Sequence, residues 1–323
     1  VDGAYAPAAP WVAETVGSLM GPARTALLHA RAADTMTKDR DQALRARHLE
    51  LAGRTEEAAT AHAAAGGYAA GVLAPESARG HFESALALGH PEPGPIHLRL
   101  AEVETRDGSY PAALRALNAA AAEGTTWEIE RAIGEVYSRW GRWPLAKASF
   151  EAALTLAEDP AEKATVLADL AVVASRDDNQ EEAEARVREA LEAVNGEAAV
   201  AARVANVAGL VLDEPDHLLA AIAHARRTRR REDEAAALNN LALAYARRGR
   251  ADESIALAER ALALLDRTGD RHRRAAIHGN LADFHHLVGD QTASQEHLRA
   301  AASLFAEVGV GRWEPEIWKL TGW

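Results

Sequence analysis

The sequence contains no cysteine, which excludes a disulfide framework and any zinc site built on thiolates. Aromatic residues make up only 5% of a chain that is 48% hydrophobic. Alanine supplies about half of the apolar count, and alanine favours close-packed helices over sheets built from β-branched and aromatic side chains. No apolar run approaches the roughly 20 residues that cross a bilayer, and residues 1–30 lack a basic start followed by an apolar core. The expectation is a cytoplasmic protein with no membrane partner. Basic residues are the minority, 36 against 48 acidic, for a net charge of −12. That sign disfavours sequence-independent attraction to phosphate, so no direct nucleic-acid partner is expected. The sequence also lacks the Gly-x-x-x-x-Gly-Lys-Ser/Thr phosphate loop, the Gly-x-Ser-x-Gly elbow and the His-Glu-x-x-His zinc motif. Catalytic residues, cofactor and metal are all read as none, and the chain is not expected to be an enzyme.

What is present is a repeat. A small residue, a large apolar residue four positions on and a second small residue three further recur at Ala78/Phe82/Ala85, Ala113/Leu117/Ala120, Ala146/Phe150/Ala153, Ala183/Val187/Ala190, Ser254/Ala258/Ala261 and Ser294/Leu298/Ala301. A poorer match falls at Ala220/His224. Before several of these lies another helical stretch with Leu or Ile, then Ala or Gly, then a glycine stop: Leu100/Ala101/Gly108, Ile133/Gly134/Gly141, Leu241/Ala242/Gly249 and Leu281/Ala282/Gly289. Glycine at a helix end supplies the left-handed conformation that closes it. Each unit therefore reads as a helix hairpin. Asp178 and Pro215 stand in for the stop glycine in the fourth and fifth units, and Leu73 in the first.

Two helices of about 14 residues, a small-residue seam and a period near 34 resemble the tetratricopeptide repeat. The resemblance covers residues 55–307 in seven units, 55–88, 96–121, 127–157, 161–194, 198–229, 232–266 and 272–307. The later units share the "NNLA…Y" wording of the kinesin light chain type at Asn239 to Tyr245. The fold expected from the resemblance is all-α: a right-handed superhelical solenoid of about seven hairpins, whose first helices line a concave surface.

Asn206, Asn240 and Asn280 stand at one position of the inner helix, just before Val207, Leu241 and Leu281, with Asn239 one residue earlier. A carboxamide both donates and accepts, which matches a peptide bond. Tetratricopeptide proteins that hold extended peptides use asparagine at this point, so by resemblance these residues contact a ligand's backbone. The other reading is that they bond neighbouring repeats and stitch the array together. Leu243, Asp283 and His286 flank them, and earlier units present Arg131 and Glu135. His278, His285 and His286 share one helix, but a seven-residue spacing suits packing better than metal ligation. The basic run at 226–233 ends an outer helix, and the carboxylate-rich runs "DDNQEEAEAR" and "AEDPAEKA" fall at helix starts, where their charges complement the helix dipole.

Residues 11–36, "WVAETVGSLMGPARTALLHARAADTM", and the following 43–66 resemble the winged-helix-to-repeat junction of STAND-class signalling ATPases, which include maltose-regulator-like LuxR-type activators and ATPase-coupled adenylate cyclases. Val16, Leu19, Arg24, Leu28, His29, Ala33, His48, Leu49, Ala52, Gly53 and Ala58 carry this likeness. It implies a sensor arm, and the loose start "VDGAYAPAAP" on Val1 reads as part of a longer chain. The partition expected is 1–54 tail and junction remnant, 55–307 repeat array, and 308–323 a capping segment rich in tryptophan (Trp313, Trp318, Trp323). The function expected is a non-catalytic sensor or scaffold that binds a peptide, a protein segment or a small effector on its concave face. A free-standing adaptor of the kinesin light chain kind is the alternative. Alanine-rich seams are also compatible with a homodimer.

Overall fold

A computed structural model describes residues 20–194, 197–266 and 270–307. Among these every regular element is helical. The α-helices are α1 Pro22–Thr35, α2 Gln42–Leu51, α3 Thr55–Gly71, α4 Pro75–Ala87, α5 Pro93–Asp107, α6 Tyr110–Glu123, α7 Trp127–Arg139, α8 Trp143–Leu156, α9 Pro160–Arg176, α10 Gln180–Ala193, α11 Ala198–Val211, α12 Pro215–Arg227, α13 Arg231–Arg247, α14 Ala251–Leu265, α15 Arg271–Leu287 and α16 Gln291–Glu307. From α3 onward they fall in pairs at the places the repeat predicts, and the all-α solenoid of tetratricopeptide-like hairpins is the observed class. The tryptophans of 308–323, and Val16 and Leu19 of the junction motif, lie outside the described residues.

The helix boundaries follow from local chemistry. Proline opens α1, α4, α5, α9 and α12, where its missing N–H has no intrahelical partner to lose. Asp159 and Glu162 form a reciprocal capping box on α9, and the Asn179 side chain accepts from the Glu182 N–H at the start of α10, so both acidic runs do mark helix starts. Gly141, Gly249 and Gly289 close first helices with φ of 72°, 74° and 81°. Leu73 and Asp178 take the same left-handed conformation, with φ of 60° and 54°. In the fifth unit the left-handed residue is Asp213 (φ 54°) rather than Pro215. Proline's ring forbids positive φ, so Pro215 instead occupies the first position of α12.

The chain forms two compact units that divide between Leu100 and Ala101, inside α5. In the first unit, α1/α2 and α3/α4 are hairpins, and Ala33, Ala46, Leu49, Ala58 and Ala61 form a fully buried core. In the second unit the hairpins α7/α8, α9/α10, α11/α12, α13/α14 and α15/α16 stack in order. Successive first helices touch one another, α7 with α9, α9 with α11, α11 with α13 and α13 with α15. They form a continuous inner layer. The seam inside a hairpin is set by size: a Cβ on Gly134 would stand 2.5 Å from the Phe150 ring, and one on Gly66 would stand 2.7 Å from Phe82. Glycine on one helix makes room for the large residue on the other. Where the second helix carries Ala258, the facing first helix has Ala242, and both are fully buried.

Candidate ligand groove

The inner layer of the second unit has two chemically different stretches. The first is charged and centres on α7, α9 and α11. Asp169 on α9 is only 5% exposed. It accepts from Arg131 Nε at 2.7 Å and also from the Arg203 guanidinium. One carboxylate thus ties the inner helices of three successive hairpins. Glu135 lies 3.2 Å from Arg139 and 4.0 Å from Arg131. Burial works against its charge, but Arg139, Arg131, Arg203 and Arg273 together outweigh that and bring its carboxyl down to about 2.

This stretch continues onto the start of α15. Arg139 reaches both carboxylate oxygens of Asp270, at 3.1 and 3.2 Å, and Asp270 is 1% exposed. Asp270 also caps α15 by accepting from the Arg273 N–H at 3.0 Å. Burial opposes its charge, and Arg139 and Arg273 prevail, so its carboxyl stays below the usual range. Beside it the Tyr110 hydroxyl and His272 Nδ1 are 2.9 Å apart. Burial pushes the phenol up to about 12 and the imidazole, helped by Arg139, down to about 4. Both groups are therefore uncharged at neutral pH. Arg271 pairs with Asp107, and the His272 ring meets Phe305 edge-on at 5.9 Å. The beginning and the end of the second unit are thus bonded directly, through residues as many as 164 apart in sequence.

The second stretch is the neutral one. Asn240 Nδ2 donates to Asn206 Oδ1 at 3.0 Å, linking α13 to α11. Asn280 Nδ2 donates to Asn239 Oδ1 at 2.9 Å, linking α15 to α13. The three asparagines of the common position do not make one ladder but two separate rungs, and Asn239 carries the second. The partners are 34 residues apart in the first rung and 41 in the second; the longer last step shifts the register so that Asn239 meets Asn280. All four asparagines are half-buried. Each makes one of its several possible carboxamide hydrogen bonds in the rungs. Leu243 packs partly buried beside the α13 core, and Asp283 and His286 lie half-buried on α15. Of the residues singled out in the sequence, the asparagines and Leu243 therefore gather on α11, α13 and α15. Arg131 and Glu135 belong to the charged stretch.

Sequence reasoning missed three participants. Arg203, Asp270 and His272 carry no motif; the available signal was the 34-residue step from Asp169 to Arg203, one repeat length. His278, grouped in the sequence with His285 and His286, has a different partner: its Nδ1 is 2.9 Å from Nδ1 of His297 on α16, and His285 stacks on that same ring.

Comparison with known proteins bears on the array. Residues 233–307 match the tetratricopeptide repeat family. The chain is an array of tetratricopeptide-like hairpins. No curated protein sequence is a significant match. Among solved structures, the chain is similar to the Rap conjugation gene regulator of plasmid pLS20 in complex with a Phr peptide, at 16% identity and TM-score 0.60 over 85% of this chain and 78% of that one. It is similar to the apo quorum sensor NprR of B. thuringiensis, at 13% identity and TM-score 0.56 over 91% of each chain. It also resembles the Pyrococcus horikoshii STAND protein with a tetratricopeptide repeat sensor, at 15% identity and TM-score 0.53 over 81% of this chain. The chain spans less than half the length of some chains it matches, 42% of that STAND protein and 46% of the chain matched in the APC/C Cut9–Hcn1 hetero-tetramer. At these identities the likeness is one of fold. No described helix is long and apolar enough to cross a membrane.

Proposed function

We propose that the protein is a non-catalytic sensor or scaffold arm that binds an extended peptide or protein segment along α11, α13 and α15. The observation that carries this is the pair of asparagine rungs on the inner layer. Neutral carboxamides with unused donors and acceptors can exchange a mutual hydrogen bond for one to a ligand amide at little net cost, because each such bond contributes only about 0.5–1.5 kcal/mol. The folds it resembles support the reading: one holds a peptide, one is a quorum sensor and one carries its repeats as a sensor. On this reading residues 1–54 join the array to further signalling machinery. The stitching role of the rungs and the ligand role are compatible, since stitching fixes the direction in which the remaining carboxamide groups point.

The test starts from peptides selected out of a random display library against the wild-type chain. Hydrogen exchange with a selected peptide should protect α11, α13 and α15, and the N206A/N240A/N280A variant, folded by circular dichroism, should lose that binding. Peptides that bind the variant equally well, or that protect only other helices, would remove the asparagines from the ligand site.

A further inference from the structure

The first unit holds a chain of polar side chains that the peptide reading does not use. His62 on α3 is only 7% exposed. Its Nε2 is 2.6 Å from Glu50 Oε1 on α2, and its Nδ1 is 2.9 Å from Nδ1 of His81 on α4. An ionised carboxylate can only accept, so His62 Nε2 carries the hydrogen. In the uncharged ring His62 Nδ1 is then bare and accepts, and His81 Nδ1 donates to it. The remaining nitrogen, His81 Nε2, keeps a free lone pair and has no partner among the described residues. Burial and the facing His62 lower the His81 imidazole below its usual value, so the ring is uncharged at neutral pH.

Two other histidine pairs give an internal comparison. His29–His48 and His278–His297 meet Nδ1 to Nδ1 at 2.8 and 2.9 Å. Among the described residues neither pair has a hydrogen bond to a carboxylate, so nothing fixes which ring donates. In the pair His62–His81 the carboxylate of Glu50 sets the direction, and the result is a defined acceptor at His81 Nε2.

His81 lines a cleft with about 450 Å³ of empty space, part of it open to solvent, inside the range of about 300–1,000 Å³ found for small-molecule sites. Four alanines, among them Ala65 and Ala69 of α3, give the cleft an apolar lining. Tyr68 and Val72 also line it, and they remain 43% and 56% exposed. Asp39 and Arg40, both exposed, bring one charge of each sign, so the cleft favours neither an anion nor a cation. A ligand suited to it is uncharged and mostly apolar, with one hydrogen-bond donor.

We infer that this cleft binds a small phenol, whose hydroxyl donates to His81 Nε2 while its ring lies among the alanine methyls and against Tyr68. A phenolic O–H is a stronger donor than an aliphatic one and matches a basic imidazole nitrogen. An aromatic ring also gains from offset or edge-on contact with the Tyr68 ring beyond the area it buries. Glu50 and His62 act on the ligand only through His81, as positioning residues that hold its hydrogen on Nδ1.

The experiment follows the His81 ring nitrogens by long-range proton–nitrogen NMR at neutral pH, assigned by their loss in H81N, during titration with para-cresol and para-methylanisole at up to low-millimolar concentration. His81 Nε2 is expected at the position of an unprotonated nitrogen and should move saturably with para-cresol. The anisole has nearly the same shape and no donor, and it should bind about tenfold more weakly, the effect of one lost hydrogen bond whose acceptor stays unpaired. E50A removes a side chain that is 46% exposed and should fold by circular dichroism. It should let the His81 hydrogen pass between the two nitrogens and bring para-cresol affinity down toward that of the anisole. E50Q, whose amide oxygen still accepts from His62, should keep the wild-type preference. A protonated Nε2 in the wild type, equal binding of the two compounds, or an E50A variant that binds like the wild type would overturn the assignment of His81 as a positioned acceptor. No movement with either compound would overturn the site. N206A/N240A/N280A should bind para-cresol as the wild type does, so failure of the peptide reading and failure of this one are told apart.

Discussion

The charged and the neutral stretches belong to one inner layer and share α11 and α15, yet they use their polar groups differently. Around α7 and α9 nearly every charge is engaged: Asp169 holds two guanidiniums, and Asp270 holds Arg139 together with its own helix start. Around α13 the polar groups are half-buried carboxamides, each with one bond to a neighbour. A buried ion pair, once made, is expensive to break because the survivor is left desolvated and alone. A neutral amide pair is cheap to exchange. On the function proposed above, the charged stretch fixes the helices and the neutral stretch is the part that releases its internal bonds to a ligand.

Asp270→Ala attacks that division most strongly. It removes the Arg139 partner, the α15 cap and the neighbour of the Tyr110–His272 pair in one change. Loss of one member of a buried pair costs about 3–5 kcal/mol, to be read from urea unfolding followed by circular dichroism. A loss under about 1 kcal/mol would mean that the bonds between the two ends of the unit are incidental. Asp169→Asn is the milder version, since Arg131 and Arg203 keep 21% and 35% side-chain exposure and can recover some water. A loss of about 1–3 kcal/mol is expected, in the range for a charge-assisted hydrogen bond. Because the carboxylate is buried, adding salt should change that loss little.

Much of the architecture was legible in the residues, and the reason is periodicity. Gly134 opposite Phe150 and the glycine stops at Gly141, Gly249 and Gly289 repeat at a fixed spacing, so each hairpin announces itself. Asp213 was not legible as a helix stop, because Pro215 two residues later is the stronger local signal. The charged stretch was half legible: Arg131 and Glu135 are visible as inner-face charges. The contact of Asp270 with Arg139, 131 residues away, arises only when the unit bends far enough to meet itself. No window of local sequence contains that curvature. The asparagine positions were legible but their pairing was not, since pairing depends on how far one hairpin is advanced relative to the next.

Acid separates the carboxylates of the charged stretch from the histidine pairs of the hairpin seams by pH window. His29–His48, His62–His81 and His278–His297 face each other Nδ1 to Nδ1 at 2.8, 2.9 and 2.9 Å, each nineteen residues apart. One ring must donate and the other accept, so a second proton on both breaks the bond. Burial lowers His48, His81, His278 and His297, with the facing ring adding to the effect for the first three and His285 for His297. Folded values below the usual 6.5 mean that this stability is complete above 6.5 and is lost as pH falls through the folded values. Glu135 behaves likewise in a lower window, its contribution complete above about 4.5 and lost as pH falls toward 2, and Asp270, also held below the usual carboxylate range, loses its contribution at acid pH in the same direction. Hydrogen exchange across a pH series should therefore show α15/α16 and the two hairpins of the first unit loosening first, with α7 and α9 unaffected until much lower pH. Simultaneous loosening would place the acid sensitivity elsewhere.

The smallest effect is expected at the asparagine rungs, and it decides how the neutral stretch is understood. In a double-mutant cycle of Asn206→Ala and Asn240→Ala, the coupling energy isolates their mutual bond from whatever each residue does alone. A neutral, half-exposed amide pair should couple by about 0.5 kcal/mol, at the low end for hydrogen bonds, measured as the difference in unfolding free energy across the four proteins. The Asn239/Asn280 cycle should give a similar value. Coupling of that size leaves the carboxamides free to exchange partners, as a ligand surface requires. A coupling of about 2 kcal/mol or more would put the rungs in the same class as the Asp169 bridge. The asparagines would then be holding the array together, and the division between the two stretches would be one of charge and not of role.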